Sequence, residues 1–529
     1  MWHKGWRDEA WNNLQQDWDL IVIGGGITGA GILRQATAMG LKTLLVEAHD
    51  FTFGTSSRSS KLVHGGFRYL REGQIKVTRE SVREREWMLR EAPNLVTRLG
   101  FLLADYENFK VPMAEFRLGV VIYDLLAPKW DHKEYSADEM LKSIPGLRAE
   151  GLLGGFQYFD AAMDDSRIVL RILREAVRQG GTALSYARVE KILCNKEGMV
   201  CGVALQDTST TSHRTAEVKA KVVINASGPW SDELRGQLGG QPHIRKLRGS
   251  HLLFSQKRWL LPAAATLIHP CDHRALFVIP WEGMSMIGTT DLDHPKELEE
   301  KYTEPFASQA EIEYLLEALN FLFPEVKASQ EDIISSFGGV RPTIRSDNSD
   351  RPSQVSREHV LYEEKGMITI TGGKFTTFRL MSKQVLEAAL KKLGREPNLN
   401  HPVIFDPLPE IQENDLDPEI LRYQLGRHGV DTASMLAAAQ PGELEPYAPL
   451  CSIPAELRWA ARDEGVEHLD DLLLRRVRLG NLMPEGAQPL LPSIRKIVQP
   501  ELGWSDARWQ AEEEAYRETW RKYYSNHPG

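Results

Sequence analysis

The alternation of apolar and polar positions is clearest at the head of the chain. An apolar run within residues 19–23 predicts a buried strand of a parallel sheet. A glycine-rich turn follows, then helix-compatible residues 27–39, with Gly40 as the stop. Residues 42–47 form a second apolar run that ends in Glu47, completing a βαβ unit. Further strands are predicted at 221–230 (KVVINASGPW), 276–281 (LFVIPW) and 284–291 (MSMIGTTD). Residues 366–393 repeat the opening grammar of apolar strand, glycine pair and long helix. Residues 400–418 carry four prolines and several acids and read as a linker. Beyond them, helical periodicity dominates, as in AELRWAARDEGVEHLDDLLLRRVRLG at 455–480. No internal repeat or low-complexity tract interrupts this order.

At 529 residues, the chain is long enough for two to four units of about 150 residues each. Its composition, 42% hydrophobic and 26% charged, is that of a globular protein. The formal net charge of −9 argues against a nucleic-acid partner, which requires a basic face. Four scattered cysteines make no disulfide framework and show no metal-ligand spacing, so reduced thiols in a cytosolic protein are expected. The N-terminus lacks the apolar core of a signal peptide, and no uncharged apolar stretch of about 18 residues occurs. The most apolar window, 119–128, is interrupted by Asp124. Four of the thirteen tryptophans precede residue 19; packing onto the protein is expected for them, with a membrane-interface anchor as the alternative.

Gly24, Gly26 and Gly29 form G-x-G-x-x-G between strand and helix. The first permits the tight turn, the second lets backbone approach a pyrophosphate, and the third allows close helix–strand packing. Ile27 and Thr28 open the helix, whose N-terminus favours phosphate. Glu47 follows Gly26 by 21 residues, where an acid would bind a ribose hydroxyl. This is a dinucleotide site, and two features favour FAD over NAD. The fingerprint opens a chain of more than 500 residues, and later segments return to it. VVINASGPWS (222–231) brings the small residues Ala226 and Gly228. TGGKFTTFR (371–379) brings Gly372, Gly373, Lys374 and Thr376 at a helix start that could stabilise a reduced flavin.

Several segments resemble the FAD-dependent, quinone-linked aerobic glycerol-3-phosphate dehydrogenase family. They are GTSSRSSKLVHGGFRYL (54–70), KLRGSHLLF (246–254), LFVIPW (276–281), IGTTD (287–291), GGVRP (338–342), GGKFTTFR (372–379) and RDEGVEHLDDLLLRRVRLG (462–480). The resemblance runs from about residue 18 to residue 520. Gln35 and Met39 depart from it, standing where the family often has Asp and Arg. It implies an α/β fold: a Rossmann-like FAD-binding domain of the glutathione-reductase/D-amino-acid-oxidase type, an inserted α+β substrate domain and a helical C-terminal domain. The implied boundaries are 18–95 with 160–235 and 340–395 for FAD, 96–159 with 236–339 for substrate, and 405–525 for the helical part.

The implied activity is oxidation of sn-glycerol 3-phosphate to dihydroxyacetone phosphate, in glycerol catabolism, with electrons passed through FAD to a membrane quinone. Peripheral attachment to the inner face of the cell membrane follows, and homo-oligomerisation stays open. Arg68 and Lys374 are the candidate phosphate ligands, with Arg341 near the substrate hydroxyls or the same phosphate. Tyr69 adds a hydroxyl donor. His251 and His64 are the candidate bases, His251 preferred because its segment matches the family's substrate region. Arg341 stays protonated and suits a developing alkoxide rather than a proton. Ser59, Ser60, Lys61 and Thr376 are the expected flavin neighbours. No metal cluster or Ser–His–Asp arrangement is visible. The competing readings are an oxygen-using glycerol-3-phosphate oxidase, an amine or amino-acid oxidase on the same scaffold, and a non-catalytic flavin-binding protein.

Overall fold

The computed structural model describes residues 2–66, 75–107, 132–209, 213–301, 304–345, 358–396, 403–411 and 416–528. Its first sheet runs, in spatial order, His359–Glu364, Met367–Gly372, Thr215–Asn225, Trp18–Ile23, Thr43–Val46 and Thr182–Leu184. Trp18–Ile23 is central, with parallel partners on both sides: Ile21 pairs with Val223 and with Leu44. Leu20, Ile21 and Val22 are wholly buried, which is why this segment reads as an unbroken apolar run. The helices Ile27–Ala38, Asp165–Arg178 and Phe378–Lys392 cover the sheet and pack on one another. The expected stop is visible: Ile27–Ala38 ends before Gly40, which takes the left-handed backbone at φ 72°. Three strands of this sheet end at the same edge, at Ile23, Asn225 and Gly372. That edge is where a doubly wound sheet binds its ligand.

The second sheet follows the order Leu292–Asp293, Ile244–Ser255, Met284–Gly288, Ala275–Trp281, Ala264–Ile268, Val96–Tyr106, Leu152–Met163 and Leu62–Val63. Ile333–Ile344 also pairs along Ile244–Ser255, in antiparallel register. The helix Gln309–Leu322 buries Ile312, Leu315 and Leu319 in a core shared with Leu252, Leu267 and Val278. A separate core joins Leu253, Ile279, Trp281 and Phe337 to Leu457, Leu473, Trp509 and Tyr516 of the C-terminal helices. The helical pattern at 455–480 is not one helix. Pro454–Asp463 ends before Gly465 (φ 63°), and a wider π-helical turn spans Asp471–Arg476.

Two expectations resolve in favour of packing. Trp2, Trp6, Trp11 and Trp18 are all buried. Trp2 stacks on Phe51 at 4.9 Å and donates its indole N–H to Ala183 O, so these side chains pack onto the protein rather than face a membrane. The described part of the proline-rich linker is also anchored. Ile404 and Phe405 enter the core of the first sheet, and Arg34 donates to Ile404 O (2.9 Å) and Asp406 Oδ1 (2.7 Å). Among the described residues, no helix is long and apolar enough to cross a membrane. The apolar window 119–128 lies outside them.

Candidate active site

A cavity of about 1680 Å³ runs from the strand ends of the first sheet to the face of the second. Gly24, Gly26, Ile27, Thr28 and Glu47 line one end. Gly24 adopts φ 114°, and a Cβ there would lie 2.5 Å from Ala226 O. Gly29 lies beneath the cavity rather than on it. Its Cα approaches the turn so closely that a Cβ would stand 1.9 Å from Gly24 O. Gly26, the residue before the helix, has no side chain to cap it; Ile27 N donates to Ser56 Oγ at 3.0 Å, and the dipole of the helix end favours a phosphate. Glu47 braces the turn, accepting from Gly25 N (2.6 Å) and His49 N (3.0 Å). Burial pushes its carboxyl up, against the pull of these two donors. Ala226, Gly228, Gly372, Gly373 and Thr376 line the next stretch of wall, so the two later returns of the chain meet the fingerprint. A cradle shaped by glycines on three chain segments, with a helix N-terminus below it, fits a dinucleotide such as FAD.

Arg341 and Lys374 line the same cavity. Arg341 donates to Asp291 Oδ1 (3.1 Å) and Thr289 Oγ1 (2.8 Å). Its guanidinium crosses the strand Ile244–Ser255 at Gly249, where a Cβ would be 2.3 Å from Nη2. Lys374 Nζ donates to Ser81 Oγ at 3.1 Å. Arg68 and Tyr69 lie outside the described residues.

The structure reorders the two histidines. His64 lines the cavity. It follows the short strand Leu62–Val63, whose antiparallel register with Ala162 and Ala161 carries His64 opposite Asp160. Its Nδ1 lies 3.0 Å from Asp160 Oδ2 and 2.8 Å from Gly66 N. With the proton on Nε2, the ring accepts from Gly66; with Nδ1 protonated, it donates to Asp160. Asp160 also accepts from Gly65 N (2.8 Å) and Arg85 Nη1 (2.9 Å). Burial alone would raise its carboxyl, but His64, Arg85 and the Gly65 N–H outweigh that and hold it well below the usual range.

His251, by contrast, is 2% exposed and does not reach the cavity wall. It sits behind Ser60, with Nε2 2.9 Å from Ser60 Oγ and its ring stacked on Phe337. The strand positions its ring over Gly288, where a Cβ would be 2.2 Å from His251 Cδ2. Burial, then Arg341 and Lys61, keeps the ring neutral far below the ordinary histidine range. His251, expected to abstract the proton directly, thus stands behind Ser60 rather than on the cavity wall.

Lys61 is set back in the same way. Ser59 and Ser60 line the cavity, but Lys61, at φ 58°, turns its side chain inward. Its Nζ binds both oxygens of Asp165 at 2.9 Å and Ser57 O at 2.6 Å. Burial, and secondarily Arg478, pushes its pKa down to about 8.

Sequence reasoning missed Asp160, Asp291 and Thr289. Asp291 and Thr289 lay inside the IGTTD motif and could have been found there. Asp160 carries no motif and is found only through strand pairing.

The model of the FAD dependent oxidoreductase family matches residues 19–386. The model described as the C-terminal domain of alpha-glycerophosphate oxidase matches residues 369–509. The aerobic glycerol-3-phosphate dehydrogenase of Staphylococcus saprophyticus is 33% identical over 489 residues, covering 87% of this chain and 86% of that protein. That of Staphylococcus haemolyticus is 36% identical over 400 residues, covering 74% and 71%. The solved structure of the glycerol-3-phosphate dehydrogenase from Bacillus halodurans, complexed with FAD, superposes with a TM-score of 0.79 at 27% identity, covering 98% of each chain. The glycine cradle, the sheet topology and these likenesses agree, and the chain belongs to the FAD-dependent aerobic glycerol-3-phosphate dehydrogenase family, with FAD as its cofactor.

Proposed function

We propose that this cleft oxidises sn-glycerol 3-phosphate to dihydroxyacetone phosphate and that the electrons pass on to a membrane quinone. The observation that carries this reading is convergence. Arg341, Lys374 and His64, the last backed by buried Asp160, face one cavity that is continuous with the dinucleotide cradle. Bound FAD supplies the two-electron acceptor. Lys374 and Arg341 provide the positive charge that a phosphate dianion requires, with Arg68 and Tyr69 as further ligands from the family-like segment. Arg341 is held by Asp291 and Thr289, which fixes its fork for the hydroxyl end of the substrate or its phosphate. His64 accepts the proton of the reacting hydroxyl, and buried Asp160 stabilises the resulting imidazolium. His251 orients Ser60 rather than meeting substrate.

The quinone acceptor, a role in glycerol catabolism, and peripheral attachment at the cytoplasmic face of the membrane are further parts of the proposal, drawn from the motif resemblance alone. Oxygen as acceptor is the second reading, favoured by the match of residues 369–509 to an oxidase C-terminal domain. Steady-state assays separate them. Purified holoenzyme is given glycerol 3-phosphate, unphosphorylated glycerol or amino acids, with a quinone analogue or oxygen as acceptor. The proposal expects turnover with glycerol 3-phosphate and the quinone analogue. Faster turnover with oxygen would replace the acceptor, and preference for an amino acid would replace the substrate.

A further inference from the structure

A buried charge lattice joins the C-terminal helical region to the loop that carries Ser59 and Ser60. Its hub is Asp165, fully buried at the start of the helix Asp165–Arg178. The carboxylate accepts from Ser59 N (3.0 Å), Ser59 Oγ (2.7 Å), Lys61 Nζ (2.9 Å) and Ser166 N (2.9 Å). It also accepts from Arg478 Nη2. Arg478 reaches the loop a second time, donating from Nη1 to Ser57 O at 3.1 Å. The same guanidinium meets Asp164 Oδ1 at 3.1 Å, and Asp164 is shared with Arg427. Two residues earlier, Arg476 grips both oxygens of buried Asp50 at 2.7 Å. Residues 476–478 thus hold both ends of the segment 50–61, whose Phe53, Ser59 and Ser60 line the cavity.

We infer that Arg478 is a positioning residue for the cofactor: through Asp165 and Ser57 O it sets the place of Ser59 and Ser60 in the cleft. The physical reason is the cost of an incomplete lattice. Lys61, Arg478 and Arg427 together offset Asp164 and Asp165, and loss of Arg478 takes a charged donor from both buried carboxylates. The loop can restore that donor only by moving, and its movement displaces the two serines. A C-terminal region that adds no cavity-lining side chain of its own among the described residues thereby shapes the cavity.

This rests on the reading that Ser59 and Ser60 face the flavin, and the test separates the two. Holoenzymes of wild type, Arg478→Met, Arg478→Lys, Arg167→Met and Ser59→Ala are compared by visible flavin spectrum, FAD dissociation constant and melting temperature. Arg167 pairs with Glu464 in the same lattice but does not touch the loop, so it reports loss of a buried pair alone. Arg478→Met is expected to weaken FAD binding about tenfold and to shift the flavin bands. Arg478→Lys is expected to recover most of both. Arg167→Met is expected to lower the melting temperature while leaving spectrum and affinity at wild-type values. The inference is overturned if Arg478→Met keeps wild-type spectrum and affinity, or if Arg167→Met changes them as much. Should Arg478→Met fail to fold, Arg478→Gln, which keeps a donor but no charge, decides: a two- to fivefold affinity loss with a shifted spectrum supports the inference, and wild-type values sink it. If Ser59→Ala alters the spectrum and Arg478→Met does not, only this inference fails. If neither does, the reading of the loop as facing the flavin fails with it.

Discussion

Substituting Gly29 by alanine tests how the nucleotide cradle is built. The added Cβ would lie 1.9 Å from Gly24 O and 3.1 Å from Gly24 C. Carbon–oxygen contacts do not close below about 3.2 Å, so the methyl is roughly 1 Å too near. Both obstructing atoms are backbone of the fingerprint turn itself, and no side-chain rotation relieves them. The helix Ile27–Ala38 must therefore lift away from the strand Trp18–Ile23. Overpacking of this kind costs about 1–3 kcal/mol. The apo-protein can relax by letting the turn open, but cofactor binding requires it closed. The strain then appears as lost affinity, about 5- to 150-fold at 1.4 kcal/mol per decade. Titration of apo-protein with FAD, followed by flavin fluorescence, reads this directly. Gly31→Ala is the contrast. There a Cβ would meet Ser382 Oγ at 2.5 Å and Phe378 Cδ2 at 2.8 Å, both side-chain atoms away from the cavity. It should lower the melting temperature with little effect on FAD affinity. A Gly29→Ala protein that binds FAD within about twofold of wild type would refute the reasoning.

Other consequences follow from the same geometry. Asp160→Asn keeps the shape at His64 but cannot balance an imidazolium; kcat with glycerol 3-phosphate should fall about a hundredfold with FAD affinity unchanged. An unaltered kcat would remove His64 as the base. Arg341→Met strips the cleft of a charge held by Asp291; kcat/KM should drop at least about a hundredfold, roughly 3 kcal/mol, while the flavin spectrum is retained. Loss of flavin instead would make Arg341 a cofactor residue. His468 is pushed up to about 9: burial would lower it, but Glu512 and Asp471 more than compensate. Its folded-state pKa exceeds the unfolded 6.5, so its stabilisation is full below about pH 6.5 and is lost as pH rises through about 9. The stability gap between wild type and His468→Gln, on the order of 3 kcal/mol at pH 6, should close by pH 10 in thermal melts. A gap independent of pH would contradict this.

What could be read from the sequence was local. The apolar runs around Ile21 and Leu45 and the glycines at 24, 26 and 29 announced a parallel βαβ unit because buried strands and tight turns leave compositional marks. The returns at Ala226 and Gly372 were legible for the same reason. What could not be read was the direction of side chains set by partners far along the chain. His251 stands in a family-like segment, yet Ser60, 191 residues away, separates it from the cleft. Lys61 sits between cavity-lining serines and a strand, yet Asp165 turns it inward. Asp160 gains its role only because Leu62–Val63 pairs with a strand about 100 residues away. The linker had the right composition, but Arg34 and the core under Phe405 anchor it.

The central claim is that the cavity brings a phosphorylated alcohol against the cofactor. Its most direct test is an anaerobic titration of the oxidised holoenzyme with sn-glycerol 3-phosphate, followed in the visible flavin bands. The account predicts stoichiometric bleaching, with equimolar dihydroxyacetone phosphate formed and no response to unphosphorylated glycerol at the same concentration. A yellow enzyme that keeps its spectrum through saturating glycerol 3-phosphate would contradict it.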